Sequence, residues 1–153
     1  MVHPWPIHPP QHLMTSVCFW NVRGLNGLSK QRDVKSLLSQ ENAILIGLVE
    51  TKLKNKGTSN LCSSVLKDWS ISTNFNVAKG GRILIAWQNC INLQVLCVKD
   101  QFIHSLVHLI HTNQSFLFTV VYGSNCLQER KNLWHDIELL SKNVNGPWLI
   151  GGE

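Results

Sequence analysis

Hydrophobic positions in the first half of the chain switch between strand-like runs and helix-like spacing. Residues 15–21 are rich in β-branched and aromatic side chains and predict a first strand. Residues 43–49 are almost entirely apolar, which is typical of a strand covered on both faces. Between these runs, Ser29 is a suitable helix N-cap and the apolar residues of 34–38 share one helical face. A strand, a helix and a strand in succession predict two neighbouring strands of one sheet.

The second half of the chain has mainly the pattern of short strands. The predicted strands are 69–76, 83–87, 91–98, 102–112, 115–122 and, begun at the end, 148–151. Residues 79–82, Lys-Gly-Gly-Arg, predict a hairpin, and helical spacing predicts a short helix over 60–66 and a longer one over 127–140. Many strands with helices near both ends predict an α+β fold, a partial two-sheet β-sandwich with flanking helices. We expect a truncated sandwich in which one sheet face lacks its partner.

Composition and charge narrow the class of protein. Residues 1–14 are rich in Pro and His and predict a disordered lead-in, so the expected domain is 15–153. The net charge of +5 suits a polyanionic partner such as nucleic acid. The five cysteines form no C-x-x-C pair, which favours an intracellular protein. No run of eighteen apolar residues occurs, so we expect no membrane partner.

Polar side chains stand where the strongest predicted strands end. Asn21 ends the first strand, Glu50 follows the apolar run of the second, and Tyr122 and Glu153 end two later strands. Strand ends and the loops after them are where a rigid sheet can present polar groups to a ligand. Glu50 is the clearest case, because its carboxylate leaves the interior at a fixed place and Mg²⁺ in proteins prefers one or two such carboxylates.

In their order and approximate spacing these segments resemble the endonuclease/exonuclease/phosphatase superfamily, which includes the apurinic endonucleases and DNase I-like enzymes. The closer resemblance is to the endonuclease domain of plant LINE-type non-LTR retrotransposons, and it runs from about Val17 to the last residue. The motifs are W-N-V-R-G-L-N (20–26), E-T-K (50–52), G-R-I (81–83), I-H (103–104), V-Y-G-S-N (121–125) and E-R-K-N-L-W (129–134). The resemblance implies the N-terminal half of a DNase I-like domain.

The resemblance also implies catalytic roles, residue by residue. Asn21 would orient the scissile phosphate or an active-site carboxylate. Glu50 would ligate Mg²⁺, for which Mn²⁺ is the alternative, and the metal would neutralise charge that develops on the phosphate. Tyr122 would donate a hydrogen bond to the phosphate. No small-molecule cofactor is implied.

Three further residues would hold the nucleic acid. Lys52 and Asn125 would contact its backbone, and Arg82, in the G-R-I motif, adds a second cation. The implied partner is DNA, and the implied place of action of such a retroelement nuclease is the nucleus.

Two departures from the family pattern predict very weak activity or none. The acidic position of the fourth family motif, G-D-x-N, holds Glu153, whose extra methylene displaces the carboxylate. A misplacement of about 1 Å can cost roughly 100-fold in rate. The Asn of that motif and the terminal Asp-His pair of the family, which activates water, have no counterpart in the sequence. We therefore expect weak DNA binding without robust cleavage.

Simpler interpretations of the same residues remain open. Asn21 suits a turn, Glu50 and Lys52 suit a solvated charge pair, and His104 and His108 suit ordinary strand positions better than a metal site. For the whole chain, the alternatives are a non-catalytic retroelement remnant and a small-molecule phosphoesterase of the same fold. The oligomeric state is not predicted.

Two expectations concern the folded domain. If Asn21 and Glu50 share one metal and its phosphate, the Glu50 carboxylate should lie within about 8 Å of the Asn21 amide. A sandwich with one uncovered sheet face should be only marginally stable, because each exposed Leu or Ile forgoes roughly 1.5–3 kcal/mol.

Overall fold

The computed structural model describes residues 14–78 and 82–153, which form an α+β fold as predicted. In chain order the elements are β1 (Ser16–Asn21), α1 (Leu28–Gln40), β2 (Ala43–Val49), α2 (Asn55–Ser64), β3 (Ser70–Thr73), β4 (Leu84–Trp87), β5 (Ile91–Val98), β6 (Phe102–Leu109), β7 (Gln114–Val121), α3 (Leu127–Ser141) and β8 (Trp148–Gly152). Of the predicted lead-in, residues 1–13 lie outside the described residues. No helix in the described part of the chain is long and apolar enough to cross a membrane.

The strands form two sheets of four, in the orders β1-β2-β4-β3 and β5-β6-β7-β8. Each sheet contains one parallel pair at one edge, β1 with β2 and β7 with β8, and its other strands pair antiparallel. The prediction that the first two strands are neighbours in one sheet is therefore confirmed. In a parallel pair both carboxyl ends lie at the same end of the sheet, so each sheet gathers two strand exits in one place.

The two sheets pack face to face, and their inner faces supply one core. Leu45 and Val49 from the first sheet are fully buried with Phe118 and Val120 from the second. The rings of Phe19 and Phe118 stack across the interface with centroids 5.0 Å apart. The expectation of an uncovered sheet face is wrong. The chain contributes four strands to each of the two sheets, so the inner face of each sheet packs against the other.

Helices cover the outer face of the first sheet and part of the outer face of the second. Alternate residues of β2, Ile46 and Leu48, point away from the inner core and pack with buried residues of α1 and α2. On the second sheet, Leu133 of α3 packs against Phe102 and Val121. The apolar face predicted for the last helix is thus the face that packs.

Several boundaries differ from the predictions because tertiary hydrogen bonds set them. The second helix begins at Asn55 instead of residue 60, and the Lys54 N–H before it donates to the Asn26 side chain at 2.9 Å. The third strand ends at Thr73, since the next side chain, Asn74, accepts from the Ile83 N–H at 2.7 Å. The first helix begins after Gly27 without a side-chain cap, and Ser29 lies inside it. Residues 79–81 of the predicted hairpin lie outside the described residues, and β3 and β4 on either side of them pair antiparallel.

Candidate active site

The four predicted catalytic residues all lie at the carboxyl ends of the two parallel pairs. Asn21 is the last residue of β1, and Glu50 follows β2 directly. Tyr122 follows β7, and Glu153 follows β8. The topology therefore brings two strand exits of each sheet to one end of the sandwich.

Strand alternation turns Asn21 and Tyr122 towards the space between the sheets. Asn21 is two residues after Phe19, which packs in the inner core, and Tyr122 is two residues after Val120, which does the same. Tyr122 itself is half-buried against that core. The site thus forms where the apolar core between the sheets gives way to polar residues.

Glu50 and Glu153 lie near enough to Tyr122 at this end of the sandwich for their charges to act on its phenol. The pKa of Tyr122 is raised above its ordinary value, first by burial, then by the negative charges of Glu50 and Glu153, and last by a hydrogen bond to the Glu50 side chain. At neutral pH the phenol is therefore protonated. Among the described residues no Lys or Arg lies within salt-bridge distance of either carboxylate.

The exit of β2 has an unusual backbone that is held by its neighbour. Glu50 and Lys52 have φ angles of 52° and 49°, in the left-handed region that few non-glycine residues adopt. Such a conformation costs about 1–3 kcal/mol per residue, so it needs support from the surrounding structure. The N–H groups of Gly24 and Leu25 each donate, at 2.8 Å, to the carbonyls of Glu50 and Thr51. These bonds continue the β1–β2 pairing beyond the strands and hold the backbone from which the Glu50 side chain projects.

Asn21 lies on the strand next to Glu50 and has a free donor. Its Oδ1 accepts from the Arg23 N–H at 3.1 Å, which makes the turn that the sequence suggested. Its Nδ2 is buried and has no partner among the described residues. A buried N–H without an acceptor is costly, so a ligand oxygen at this point would be favoured. The Val22 N–H donates to the Val49 carbonyl at 3.1 Å, so Asn21 and Glu50 lie on neighbouring backbone, and the side-chain separation of about 8 Å stays a prediction.

The residues predicted to contact nucleic acid lie around this end of the sandwich and differ in how deeply they are buried. Lys52 is exposed, two residues beyond Glu50, and Asn125 is exposed on the loop after Tyr122. Arg82 is half-buried, with its guanidinium 4.1 Å from the Phe75 ring centre. Its Nε has no partner among the described residues.

The donor set fits a hard cation. In the described part of the chain no three His, Cys, Asp or Glu side chains gather as a metal cluster. What gathers is two carboxylates, Glu50 and Glu153, that lack a basic partner, beside the phenol of Tyr122. All of these are oxygen donors, and Mg²⁺ is commonly held by one or two carboxylates while it keeps several waters.

No family model and no curated protein matches the sequence. Solved structures do match the fold. They include the endonuclease domain of TRAS1, a telomere-specific non-LTR retrotransposon. That match has a TM-score of 0.66 and 8% sequence identity, and it covers 90% of this chain and 58% of the TRAS1 domain. The zebrafish (D. rerio) TDP2 complexed with single-strand DNA product gives TM-score 0.64 at 15% identity, over 88% of this chain and 57% of that one. The chain has the endonuclease/exonuclease/phosphatase fold.

The same fold also carries other chemistry. A mannosyl-6-phosphatase of Bacteroides thetaiotaomicron matches with TM-score 0.61 and 13% identity, over 89% of this chain and 63% of that one. The chain spans about three fifths of the length of these structures. A likeness at such identities shows the fold, and the fold-family resemblance read from the motifs is confirmed at that level.

Gln101, which the sequence analysis missed, anchors the Tyr122 loop of this fold. It is 6% exposed, and its carbonyl accepts from the Tyr122 N–H at 2.8 Å. Its side chain accepts from the Ser124 N–H at 2.9 Å and donates to the Glu129 carbonyl at 2.8 Å. Ser124 Oγ also donates to the Glu129 carboxylate, so the loop is tied to α3. A lone Gln before a strand gives no sequence signal for this role.

Two glycines before Glu153 are required by close packing. A Cβ on Gly151 would collide with the Phe19 ring, and a Cβ on Gly152 would overlap the Val121 carbonyl. Gly152 also has φ of 133°, which L side chains rarely adopt. The Gly-Gly pair before the acidic residue is the sequence signal for this close packing.

Proposed function

We propose that the chain carries the metal-binding and phosphate-binding part of a Mg²⁺-dependent DNA endonuclease site of retroelement type. The observation that carries this proposal is the proximity of Glu50 and Glu153 to the Tyr122 phenol, without a basic partner among the described residues. The fold shared with the TRAS1 endonuclease domain and with a TDP2 that was solved with single-strand DNA product supports DNA as the substrate class.

Each residue contributes through its own donor or acceptor. Glu50 presents a carboxylate from backbone that is held by the β1–β2 hydrogen bonds. Tyr122 keeps its proton, because its pKa is raised, and so can donate to a phosphate oxygen. The Asn21 Nδ2 supplies a second donor. When bound, Mg²⁺ would neutralise charge on the phosphate oxygens.

We infer that cleavage by this chain is very weak or absent. Glu153 stands where the resembling family has Asp, and its extra methylene displaces the carboxylate. A misplacement of about 1 Å can cost roughly 100-fold in rate. DNA association is expected to survive in weak form, because Lys52, Arg82 and the net charge of +5 act on phosphates without the catalytic water.

Metal binding gives the direct test. Calorimetric titration with Mg²⁺, and with Mn²⁺ as a second probe, should show binding to the wild-type chain that is lost in Glu50→Gln. Glu138→Gln is the matched control, since Glu138 is an exposed carboxylate on α3. Equal binding by wild type and Glu50→Gln would refute the assignment of Glu50 as metal ligand.

Plasmid nicking tests the second half of the proposal. In Mg²⁺, the wild-type chain should relax supercoiled plasmid no faster than Glu50→Ala, while retaining salt-sensitive DNA binding in a gel-shift assay. Robust nicking that Glu50→Ala abolishes would show that the site is complete as it stands. Absence of both Mg²⁺ and DNA binding would favour the alternative of a non-functional retroelement remnant.

The mannosyl-6-phosphatase match favours one further candidate, a phosphoesterase that acts on small phosphorylated molecules. The same carboxylates and Tyr122 could serve a phosphate monoester. Release of inorganic phosphate from a sugar phosphate in Mg²⁺, lost in Glu50→Ala, would support this alternative over the endonuclease.

A further inference from the structure

A cavity opens between α3 and β8 beside the candidate active site. Its volume is about 440 Å³, a size that suits a small ligand or one unit of a polymer. Asn125, Arg130 and Glu153 line one part of it. The remaining wall is largely apolar and includes Trp134 and Ile150.

Trp134 is an exposed aromatic residue on a helix that is itself anchored beside the cavity. The side chain is 63% exposed, although tryptophan is among the largest apolar residues. Its neighbour Leu133 is 1% exposed and anchors α3 on the second sheet. Ile150 across the cavity is 43% exposed. The helix therefore holds an indole at the cavity without burying it, as a stacking surface requires.

Arg130 gives the cavity a basic, ordered edge. Its Nη1 donates to the Ser124 carbonyl at 3.2 Å, so the guanidinium is tied to the loop that carries Tyr122. Its aliphatic stem lies against Gly123, with carbon atoms within 4 Å of where a Cβ would stand. The cavity thus runs from an apolar wall at Trp134 to a polar edge that is continuous with the site.

We propose that this cavity binds an unpaired nucleobase of the nucleic-acid strand whose phosphate lies at the candidate active site. The inference rests on the proposed function and adds to it the state of the substrate next to the cleavage point. A base offers a flat π face to Trp134, and base–aromatic stacking tolerates any sequence. A base stacked inside a duplex cannot enter such a cavity, so the bound nucleotide must be single-stranded or extruded.

A nucleotide fits both parts of the cavity better than an apolar protein segment does. Its phosphate is an anion that Arg130 attracts, and its base can cover Trp134 and Ile150. An apolar segment laid over the cavity would remove Arg130 and Glu153 from water without replacing their hydrogen bonds, which is costly for charged groups. The net charge of +5 favours the polyanion as well.

Oligonucleotide binding to the full chain tests the proposal. The probes are a fluorescein-labelled single-stranded DNA and an oligomer of equal length built from abasic residues, and binding is followed by anisotropy. Trp134→Ala should weaken binding of the base-containing strand about 5- to 150-fold, the loss expected for one stacked base. It should leave the abasic oligomer unaffected, and Trp134→Phe should retain most of the affinity.

The matched control is Leu139→Ala, because Leu139 is an exposed apolar residue of the same helix and does not line the cavity. It should change neither affinity. Equal losses of both probes in Trp134→Ala, or no loss, would overturn the nucleobase assignment while leaving DNA binding by the site intact. A wild-type dimer that Trp134→Ala dissociates would identify a second copy as the occupant instead. If the wild type binds neither probe, the proposed function fails together with this inference.

Discussion

The two parallel strand pairs that form the site differ in how firmly they are held. In the β1–β2 pair, β2 is buried along almost its whole length, and hydrogen bonds from Gly24 and Leu25 continue the pairing beyond the strands. In the β7–β8 pair, Glu153 also continues the pairing through backbone bonds to Val121 and Gly123, but much of β8 is exposed. Glu50 thus follows the buried strand of the more rigid pair, whereas Glu153 follows an exposed strand. The carboxylate that we propose as the metal ligand is therefore on the better-supported pair.

A matched pair of leucine truncations tests this contrast with the largest expected effect. Leu48 in β2 is fully buried, and Leu149 in β8 is 39% exposed. Leu48→Ala should lower the free energy of unfolding by about 2–5 kcal/mol, since it removes buried surface and leaves a cavity. Leu149→Ala should lower it by less than about 1 kcal/mol. Urea unfolding followed by tryptophan fluorescence measures both.

Equal losses in the two variants would mean that β8 is as well packed as β2. The comparison between the pairs would then be wrong. A change in the urea dependence as well as the midpoint would point to altered compactness of one state rather than altered stability.

Sequence pattern predicted strands with a clear apolar run better than the polar segments between them. Residues 43–49 and 91–98 have the predicted bounds, because a continuous or alternating apolar run between polar residues defines a strand locally. The start of α2 at Asn55 was missed, since the polar segment 55–59 carries no apolar periodicity and its support is tertiary. Gln31 Nε2 from α1, for example, donates to the Gly57 carbonyl at 3.2 Å.

The candidate site was predicted as a set of strand ends, and its geometry was not. Motif order pointed to Asn21, Glu50 and Tyr122, but no pattern of residue types shows that the charge of Glu50 raises the pKa of the Tyr122 phenol. The left-handed backbone at Glu50 was equally invisible, because it depends on bonds from another strand. The roles of these residues in binding and catalysis stay predictions.

Removal of the Gln101 side chain should have the second-largest effect on stability, and it should act at the carboxyl end of the β7–β8 pair. Gln101→Ala leaves the Ser124 N–H and the Glu129 carbonyl without their partners. An unpaired buried group costs about 1–3 kcal/mol, so stability should fall by that order. Amide hydrogen exchange should rise in the loop after β7 and not in the loop after β2. Gln94→Ala, at an exposed position of β5, is the control and should change neither.

Acidification should lower the free energy of unfolding by a smaller amount, through a histidine in the second sheet. Trp148 of β8 donates its Nε1–H to Thr119 Oγ1 at 2.8 Å, and that hydroxyl also bonds His104 Nδ1 at 2.7 Å. Burial lowers the pKa of His104 below its ordinary value of 6.5. The imidazole of His104 is therefore protonated more readily in the unfolded chain than in the folded one. Its neutral form stabilises the folded protein fully above the pKa of the unfolded state. This contribution is lost as the pH falls through the pKa of the folded state.

The measurement is the free energy of unfolding at pH 7.5 and at pH 5.5. The wild type should be less stable at the lower pH, by at most about 1.4 kcal/mol for each unit of lowered pKa. His104→Gln should reduce this difference, and His135→Gln, at an exposed position of α3, should not. An unchanged difference in His104→Gln would assign the pH dependence to other groups.

The smallest expected effect is a change in the pKa of Tyr122 when either carboxylate is removed. Tyr122 is the only tyrosine in the sequence, so tyrosinate absorbance near 295 nm reports the titration of this phenol alone. Its pKa should lie above the ordinary value in the wild type, chiefly because of burial. Glu50→Gln should lower it by removing both a charge and the carboxylate that accepts the hydrogen bond, whereas Glu153→Gln removes only a charge. The drop should therefore be larger for Glu50→Gln, as expected if the rigid pair holds its carboxylate closer to the phenol. A larger drop for Glu153→Gln would reverse the assignment of the fixed and the loose carboxylate, and no change in either variant would show that the three side chains do not meet.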